Sequence, residues 1–275
     1  MQHSASTLWL LSALVLLCGC GGGVRTSRSP SGLPSGPPSD PSPQGLTVAG
    51  NWQFSTTSAA GMPPFIIAGN ITQSGNAVNG VVHVDGWSCF DQPTAIGLTG
   101  TLTDGKISLT SVSVDGQVIT LAGTISKKIG FPYTLTGTYA INGGCANGEQ
   151  GNITGFNVDS ITGNWAGNLT TAGAETIHWG AQLAQGNASS EGSFGLTGPF
   201  TFDGACFKSG TITSGTFPSA SFIMGTSVAL EIKTDNGTIV FLGTADSDGL
   251  IRGSYAVSGG LCPSTGTGYL SPWEY

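Results

Sequence analysis

The feature that most constrains this fold is an internal duplication. The motif Gly50-Asn51-Trp52 recurs as Gly163-Asn164-Trp165. Three further segments recur in the same order, at offsets of roughly 110 to 120 residues: 85–90 with 203–207, 100–103 with 210–213, and 137–141 with 253–257. Repeats of this length predict one structural unit per copy. We therefore expect two related domains, at residues 46–158 and 159–275.

Each copy has the pattern of antiparallel β-structure. In the segment 135–141 apolar and small polar residues alternate, so Leu135, Tyr139 and Ile141 share one predicted face. Asp-Gly and Asn-Gly pairs, which favour tight hairpin turns, separate such runs at 104–105, 115–116 and 236–237. The runs and turns predict an all-β chain with two tandem small antiparallel β-barrels, or sandwiches, of about eight strands each.

The Gly-Asn-Trp motif that opens each copy resembles the Gly-x-Trp signature on the first strand of lipocalins and avidin-like barrels. This resemblance implies a barrel architecture in which Trp52 and Trp165 plug one barrel end. Lipocalins usually place an Arg over this Trp, and Arg252 is the one Arg that follows residue 45. The resemblance assigns no ligand residue.

The N-terminus predicts export to a bacterial cell envelope. An apolar run of about ten residues ends in Leu17-Cys18-Gly19-Cys20; it is too short to span a bilayer but typical of a secretory signal. The last four residues resemble the lipobox of bacterial lipoproteins. That resemblance implies a signal peptide at 1–19, a diacylglycerol on the sulfur of Cys20 and an N-terminus acylated by a fatty acid such as palmitate. The alternative is a soluble secreted protein with ordinary thiols.

The segment that follows predicts a tether. Residues 20–45 are rich in Gly, Ser and Pro and hold too few apolar side chains for a core. We therefore expect attachment to a membrane through the lipid anchor alone. The formal net charge of the chain is −7 and no basic stripe is present, so nucleic acid is not an expected partner.

Four cysteines lie beyond the anchor. Cys89 and Cys145 are 56 residues apart, and so are Cys206 and Cys262. A pairing within each copy preserves the repeat symmetry, and export permits such bonds. We predict disulfides Cys89–Cys145 and Cys206–Cys262. The rival, a zinc site, lacks a Cys-x-x-Cys motif, so we predict no metal and no other cofactor.

No motif carries recognisable catalytic chemistry. His83 precedes Asp85 by two residues and could share a strand face with it, but we interpret the pair as a surface His beside a turn Asp. His178 has no Asp at the same spacing, and the nucleophile motif Gly-x-Ser-x-Gly is absent. We therefore predict no catalytic residue and a protein that is not an enzyme.

Two further tryptophans are not shared between the copies. Unshared aromatic residues on a duplicated scaffold are candidates for exposure, where they stack on a sugar or an apolar ligand. Trp87 and Trp179 are thus candidate ligand contacts.

Three hypotheses about function follow. The first is a non-enzymatic cell-envelope lipoprotein that serves as a binding or surface-structural module for an unknown small molecule, glycan or protein. The second is a lipocalin-like carrier of a small apolar ligand, which needs a hollow barrel. The third is a secreted glycan hydrolase that uses two carboxylates.

Overall fold

The described part of the chain is all-β. The computed structural model describes residues 46–86, 88–90, 95–128, 132–173, 175–215, 217–218, 220–260 and 265–273. These residues form seventeen strands and one short 3₁₀ turn, Ser88–Phe90, with no α-helix among them. No helix long and apolar enough to cross a membrane occurs in these ranges.

The first barrel is a closed antiparallel ring of eight strands in chain order. Its strands are β1 (Gly50–Ser58), β2 (Ile66–Ser74), β3 (Ala77–Asp85), β4 (Ile96–Thr103), β5 (Lys106–Ser111), β6 (Val118–Lys127), β7 (Tyr133–Asn142) and β8 (Gln150–Val158). Pairing between β8 and β1 closes the ring.

The second barrel is also a closed antiparallel ring, with one added strand. Its strands are β9 (Gly163–Thr171), β10 (Thr176–Ala188), β11 (Phe194–Asp203), β12 (Ser209–Ile212), β13 (Phe222–Met224), β14 (Ser227–Thr234), β15 (Gly237–Ala245), β16 (Ile251–Ser258) and β17 (Thr265–Pro272). Pairing of β10 with β11 closes the ring. Strands β12 and β13 together occupy one position between β11 and β14. The predicted fold class is confirmed, and both units are barrels rather than sandwiches.

The added strand marks a difference between the copies. In the first barrel, Asp104 and Gly105 make a two-residue turn between β4 and β5, both at positive φ, as the Asp-Gly pair predicts. In the second barrel residues 213–226, including β13, replace that turn.

At the third predicted turn, 236–237, the structure differs from the prediction by one residue. Thr234 pairs with Gly237, so the turn is formed by 235–236.

Apolar side chains fill both interiors. Alternation along the strands sends Leu135, Tyr139 and Ile141 inward, each at most 2% exposed, and each barrel holds one continuous cluster of buried side chains. Trp52 and Trp165 belong to these clusters. Each indole Nε1–H donates to the carbonyl four residues earlier, on Val48 at 2.7 Å and on Ile161 at 2.8 Å. The two copies thus hold their tryptophans in the same way.

Cys89 and Cys145 form a disulfide bond, which is the pairing that the repeat spacing predicts. The bond ties the 3₁₀ turn after β3 to the connection between β7 and β8. Cys206 is also disulfide-bonded. Cys262 lies outside the described residues, so the pairing Cys206–Cys262 stays a prediction.

The insertion in the second barrel packs against β1, β2 and β3 of the first. Phe222 and Met224 bury Ala68 of β2 in a small apolar cluster. Beside it, the amide of Asn51 donates to the carbonyl of Gly225 at 2.8 Å and accepts from its N–H at 2.7 Å. Gln53 Oε1 accepts from the N–H of Thr226 at 2.9 Å. These contacts define the joint between the two barrels.

Candidate functional site

A groove of about 620 Å³ opens on the outer face of the second barrel. It crosses the four neighbouring strands β11, β10, β9 and β17, whose pairing brings together residues that are far apart in sequence. Because both barrel interiors are packed with side chains, this groove lies outside the barrel wall.

One side of the groove is a row of polar side chains, one from each strand. Asp203 pairs with His178, His178 with Asn168, and Asn168 with Tyr269. Residues paired in this way point to the same face of the sheet. All four side chains point outward, away from the core. We call these four residues the polar row.

The floor of the groove is a row of small residues. Thr201 pairs with Gly180, Gly180 with Ala166, and Ala166 with Ser271. This small row lies two residues along each strand from the polar row, so it faces the same side. Beyond the small row lies Trp273, whose side chain is 55% exposed. The backbone N–H of Trp273 donates to the carbonyl of Asn164 at 2.9 Å. The groove exists because small residues separate the polar row from Trp273.

Hydrogen bonds orient the polar row. The Nδ1–H of His178 donates to Asn168 Oδ1, and Asn168 Nδ2 donates to the hydroxyl of Tyr269 at 3.2 Å. In a neutral imidazole this arrangement leaves Nε2 of His178 as an acceptor. The Tyr269 hydroxyl keeps its proton for donation. With His178 neutral, the row therefore presents acceptors at Asp203 and His178 and a donor at Tyr269.

Trp179 is among the residues around the groove, but its side chain is buried in the core. The prediction that this residue is an exposed ligand contact is wrong, because its side chain is 3% exposed and packs against Phe200 and Phe241 with ring centroids 5.5 and 5.3 Å apart. Its position on β10 alternates with His178, so one points inward and the other outward. The indole Nε1–H donates to the carbonyl of Tyr269 at 2.9 Å. The core thereby fixes the strand that carries Tyr269.

The first barrel has a counterpart of this surface. The repeat aligns Gln53 with Ala166 and His83 with Thr201, and in both barrels these residues belong to one cross-strand row. In the first barrel, however, the second barrel covers the row at the joint. A face that is open on the second barrel is thus a docking surface on the first.

His83 is part of that covered row. The interpretation as a surface His is wrong, since its side chain is 3% exposed. Nε2 lies 2.9 Å from the carbonyl of Glu191, and the ring lies 4.7 Å from that of Phe217. Nδ1 is buried without a hydrogen-bond partner among the described residues. Burial lowers the pKa of His83, and the Glu191 carbonyl and charge oppose this to a smaller extent.

A smaller depression of about 400 Å³ lies on the outside of the first barrel, across β1, β6, β7 and β8. Small Thr, Ser, Ala and Gly residues line most of it, and its one aromatic residue, Tyr139, is buried. It offers neither an exposed ring nor a charged group. We therefore regard the groove on the second barrel as the stronger candidate site.

Several sequence predictions fall elsewhere. Cys20 and Trp87 lie outside the described residues, so their roles stay predictions. Among the residues that the structure describes, no three His, Cys, Asp or Glu side chains cluster closely enough to hold a metal ion.

The sequence did not indicate His178 as a site residue, because no Asp lies near it in the chain. In the structure Asp203 lies directly opposite it on the neighbouring strand. Only the strand pairing brings these residues together, and the sequence shows no signal for it.

Comparison with known proteins adds little. No family model and no curated protein matches the sequence. Among solved structures, the chain is similar to a protein from Nitrosomonas europaea assigned as AttH, at 11% identity over 82% of this chain and 93% of that one, with a TM-score of 0.23. It is also similar to kievitone hydratase from Nectria haematococca, at 10% identity over 81% and 88% of the two chains, with a TM-score of 0.23. Neither TM-score supports an argument about this chain.

Proposed function

We propose that this chain is a non-enzymatic binding module of a bacterial cell envelope, anchored through Cys20, whose ligand binds in the outer groove of the second barrel. The observation that carries the proposal is the contrast between packed interiors and an open groove. Ligand sites are typically concave and combine apolar walls with a few placed polar groups. The groove has this character, because the rings of Tyr269 and Trp273 supply apolar faces and Asp203, His178 and Asn168 supply polar groups.

A carrier function, by contrast, is not favoured by the barrel interiors, which buried side chains fill in the described part of the chain. A lipocalin-like carrier needs an apolar calyx inside the barrel. In the described residues, side chains such as Trp52, Phe54, Phe200 and Phe241 are buried inside the barrels. The alternative of an apolar-ligand carrier is therefore not supported.

The composition of the groove favours binding over hydrolysis. Glycoside hydrolysis generally uses two carboxyl groups that flank the scissile bond. Of the described residues that line the groove, Asp203 is the one carboxylate. A single carboxylate accepts hydrogen bonds from a ligand but does not supply the acid and the base or nucleophile of that reaction.

The lipid anchor rests on the sequence, and its direct test is chemical. The full chain is expressed in a bacterial host fed with an alkyne analogue of palmitate, and the mature N-terminal peptide is examined by mass spectrometry. We expect label on the wild-type chain, a mature N-terminus at Cys20, and loss of both in Cys20→Ser. Cleavage at any other residue, without label, would reject the anchor.

The binding function is tested by filling the groove. Ala166→Tyr places a large side chain on the groove floor without entering the core. Ala256→Tyr is the matched control, because Ala256 also faces outward on the second barrel but does not line the groove. Glycan arrays, peptide libraries and phospholipid vesicles serve as probes. We expect one class to bind the wild type and the control but not Ala166→Tyr. Equal binding by all three chains, or by none, would overturn the proposal.

A further inference from the structure

We infer that the groove binds a neutral oligosaccharide; this inference rests on the proposed function and names its ligand class. Tyr269 and Trp273 are 39% and 55% exposed. They are four residues apart and both line the groove, so their Cα atoms lie about 13 Å apart along the strand direction. Exposed aromatic rings offer flat apolar faces with a polar edge. The C–H face of a pyranose ring stacks on such a surface, and two rings offer two stacking positions along one chain of sugars.

The polar row complements hydroxyl groups. A sugar hydroxyl both donates and accepts a hydrogen bond, so it is best held by neighbouring acceptors and donors. Asp203 and, in a neutral imidazole, Nε2 of His178 accept, while the hydroxyl of Tyr269 donates. These groups are spaced by strand pairing, about 5 Å from one strand to the next. A saccharide that runs along β17 and stacks on Tyr269 would thus present the hydroxyl groups of that sugar unit to the polar row.

The charge of the groove favours a neutral ligand. Its described lining residues include the carboxylate of Asp203 and no Lys or Arg. Arg252 continues the row on β16, next to Tyr269, but its guanidinium is paired with Asp246. The whole chain carries a net charge of −7. An anionic glycan, a phosphate group or a nucleic acid would therefore be repelled rather than held.

The groove is preorganised, which reduces the entropic cost of binding. The buried indole of Trp179 holds the backbone of Tyr269, and the amide of Asn168 holds both neighbours in the polar row. Few side chains would have to be ordered by the ligand. Such a surface suits a carbohydrate. Each hydrogen bond between a sugar and the protein largely replaces one between the sugar and water, so its net gain is small and a low entropic cost matters.

The first barrel shows what a peptide-binding version of this face looks like. There, Asn51 and Gln53 bind the backbone at Gly225 and Thr226, and His83 contacts the carbonyl of Glu191. On the second barrel, Ala166 and Thr201 replace Gln53 and His83. The groups that hold a polypeptide on the first barrel are thus largely missing on the second. The observations therefore favour a saccharide over a peptide.

The test uses the purified full chain and a printed array of neutral and anionic glycans. The best neutral binders are then titrated as soluble hexasaccharides by calorimetry, with cellohexaose, maltohexaose, chitohexaose and xylohexaose as the fixed panel. We expect a neutral hexasaccharide to bind, and Trp273→Ala and Tyr269→Ala each to weaken it about tenfold or more, equivalent to about 1.4 kcal/mol.

The matched control is Leu242→Ala. Leu242 is 56% exposed on β15 of the same barrel but does not line the groove, so its loss should leave the affinity unchanged. Circular dichroism confirms that each variant is folded. If neutral sugars do not bind, or bind equally well to Trp273→Ala and Tyr269→Ala, the inference is wrong. Groove-dependent binding of a peptide or an anionic glycan would also reject it, yet leave the proposed binding function intact. If no probe binds at all, both fail.

Discussion

The side-chain amide of Asn51 in the first barrel forms both possible hydrogen bonds with the backbone of Gly225 in the second, at 2.8 and 2.7 Å. Both residues are buried, and they lie 174 positions apart in the chain. One side chain therefore satisfies a donor and an acceptor that water cannot reach. This relationship identifies the joint as a specific interface rather than an incidental contact.

Asn51→Ala should destabilise the protein strongly. It leaves the N–H and carbonyl of Gly225 buried without partners, and we expect the free energy of unfolding to fall by about 2 kcal/mol or more. Asn164→Ala is the matched control, because Asn164 is the repeat counterpart of Asn51 and is only half-buried; its effect should stay within about 0.5 kcal/mol. Urea denaturation followed by tryptophan fluorescence measures both. Equal losses would show that the joint bonds contribute little.

Gly192→Ala should disrupt the joint from the other side. A Cβ at Gly192 would lie 2.1 Å from the carbonyl oxygen of Val81, and Gly192 has φ of +76°. Gly61 has the same φ, but a Cβ at that position would meet no atom within 4 Å. Gly61→Ala should therefore cost only the backbone strain, about 1 kcal/mol, and Gly192→Ala about 2 kcal/mol more. Thermal unfolding distinguishes them, and indistinguishable melting temperatures would contradict the predicted clash.

His83 should make stability fall on acidification. Its pKa in the folded state is lowered below 6.5 by burial, so between these two values the unfolded chain binds more protons. Above pH 6.5 the imidazole is neutral in both states and contributes no pH dependence; as the pH falls below 6.5 its contribution becomes destabilising. We expect the wild type to lose stability relative to His83→Gln as the pH is lowered from 7 to 5. Parallel stability curves over that range would refute this assignment.

Removal of the disulfide Cys89–Cys145 should destabilise the first barrel. The bond closes a loop across a sequence separation of 56 residues, and the chain-entropy model gives such a crosslink about 4 kcal/mol. The double variant Cys89→Ser/Cys145→Ser should show a correspondingly lower urea midpoint under non-reducing conditions. A midpoint unchanged from that of the wild type would count against this stabilisation.

The second predicted disulfide is tested by non-reducing peptide mapping of the wild type, which should yield a peptide that joins Cys206 to Cys262.

Much of the fold could be predicted from local patterns. The alternation at Leu135, Tyr139 and Ile141 marks an inward face whatever the partner strands are, because side chains alternate along any strand. The Asp-Gly pair at 104–105 specifies its turn through backbone conformation alone. The sequence repeat extends these predictions to the second half, because two copies of one repeat are expected to adopt the same fold.

The candidate site could not be predicted in this way. Asp203, His178, Asn168 and Tyr269 meet only because four strands pair in one register, and no local rule gives that register. Trp179 illustrates the same limit: its absence from the first copy indicated exposure, whereas its place on β10 directs it inward. For His83, a short spacing to Asp85 indicated a surface pair, but a distant insertion buries it.

The sequence by itself thus determined two repeated all-β units with alternating strands, because those features depend on neighbours along the chain and on the repeat. It left open whether each unit is a barrel or a sandwich and whether its interior is filled. The tertiary structure alone decided which face of each barrel is covered. Residues 222–224 form an extra strand in the second copy, and that strand packs on the first barrel. Asn51 and Gln53 bind the backbone of the two residues that follow it, Gly225 and Thr226. The equivalent face of the second barrel is uncovered, and the small residues Ala166 and Gly180 form the floor of its groove.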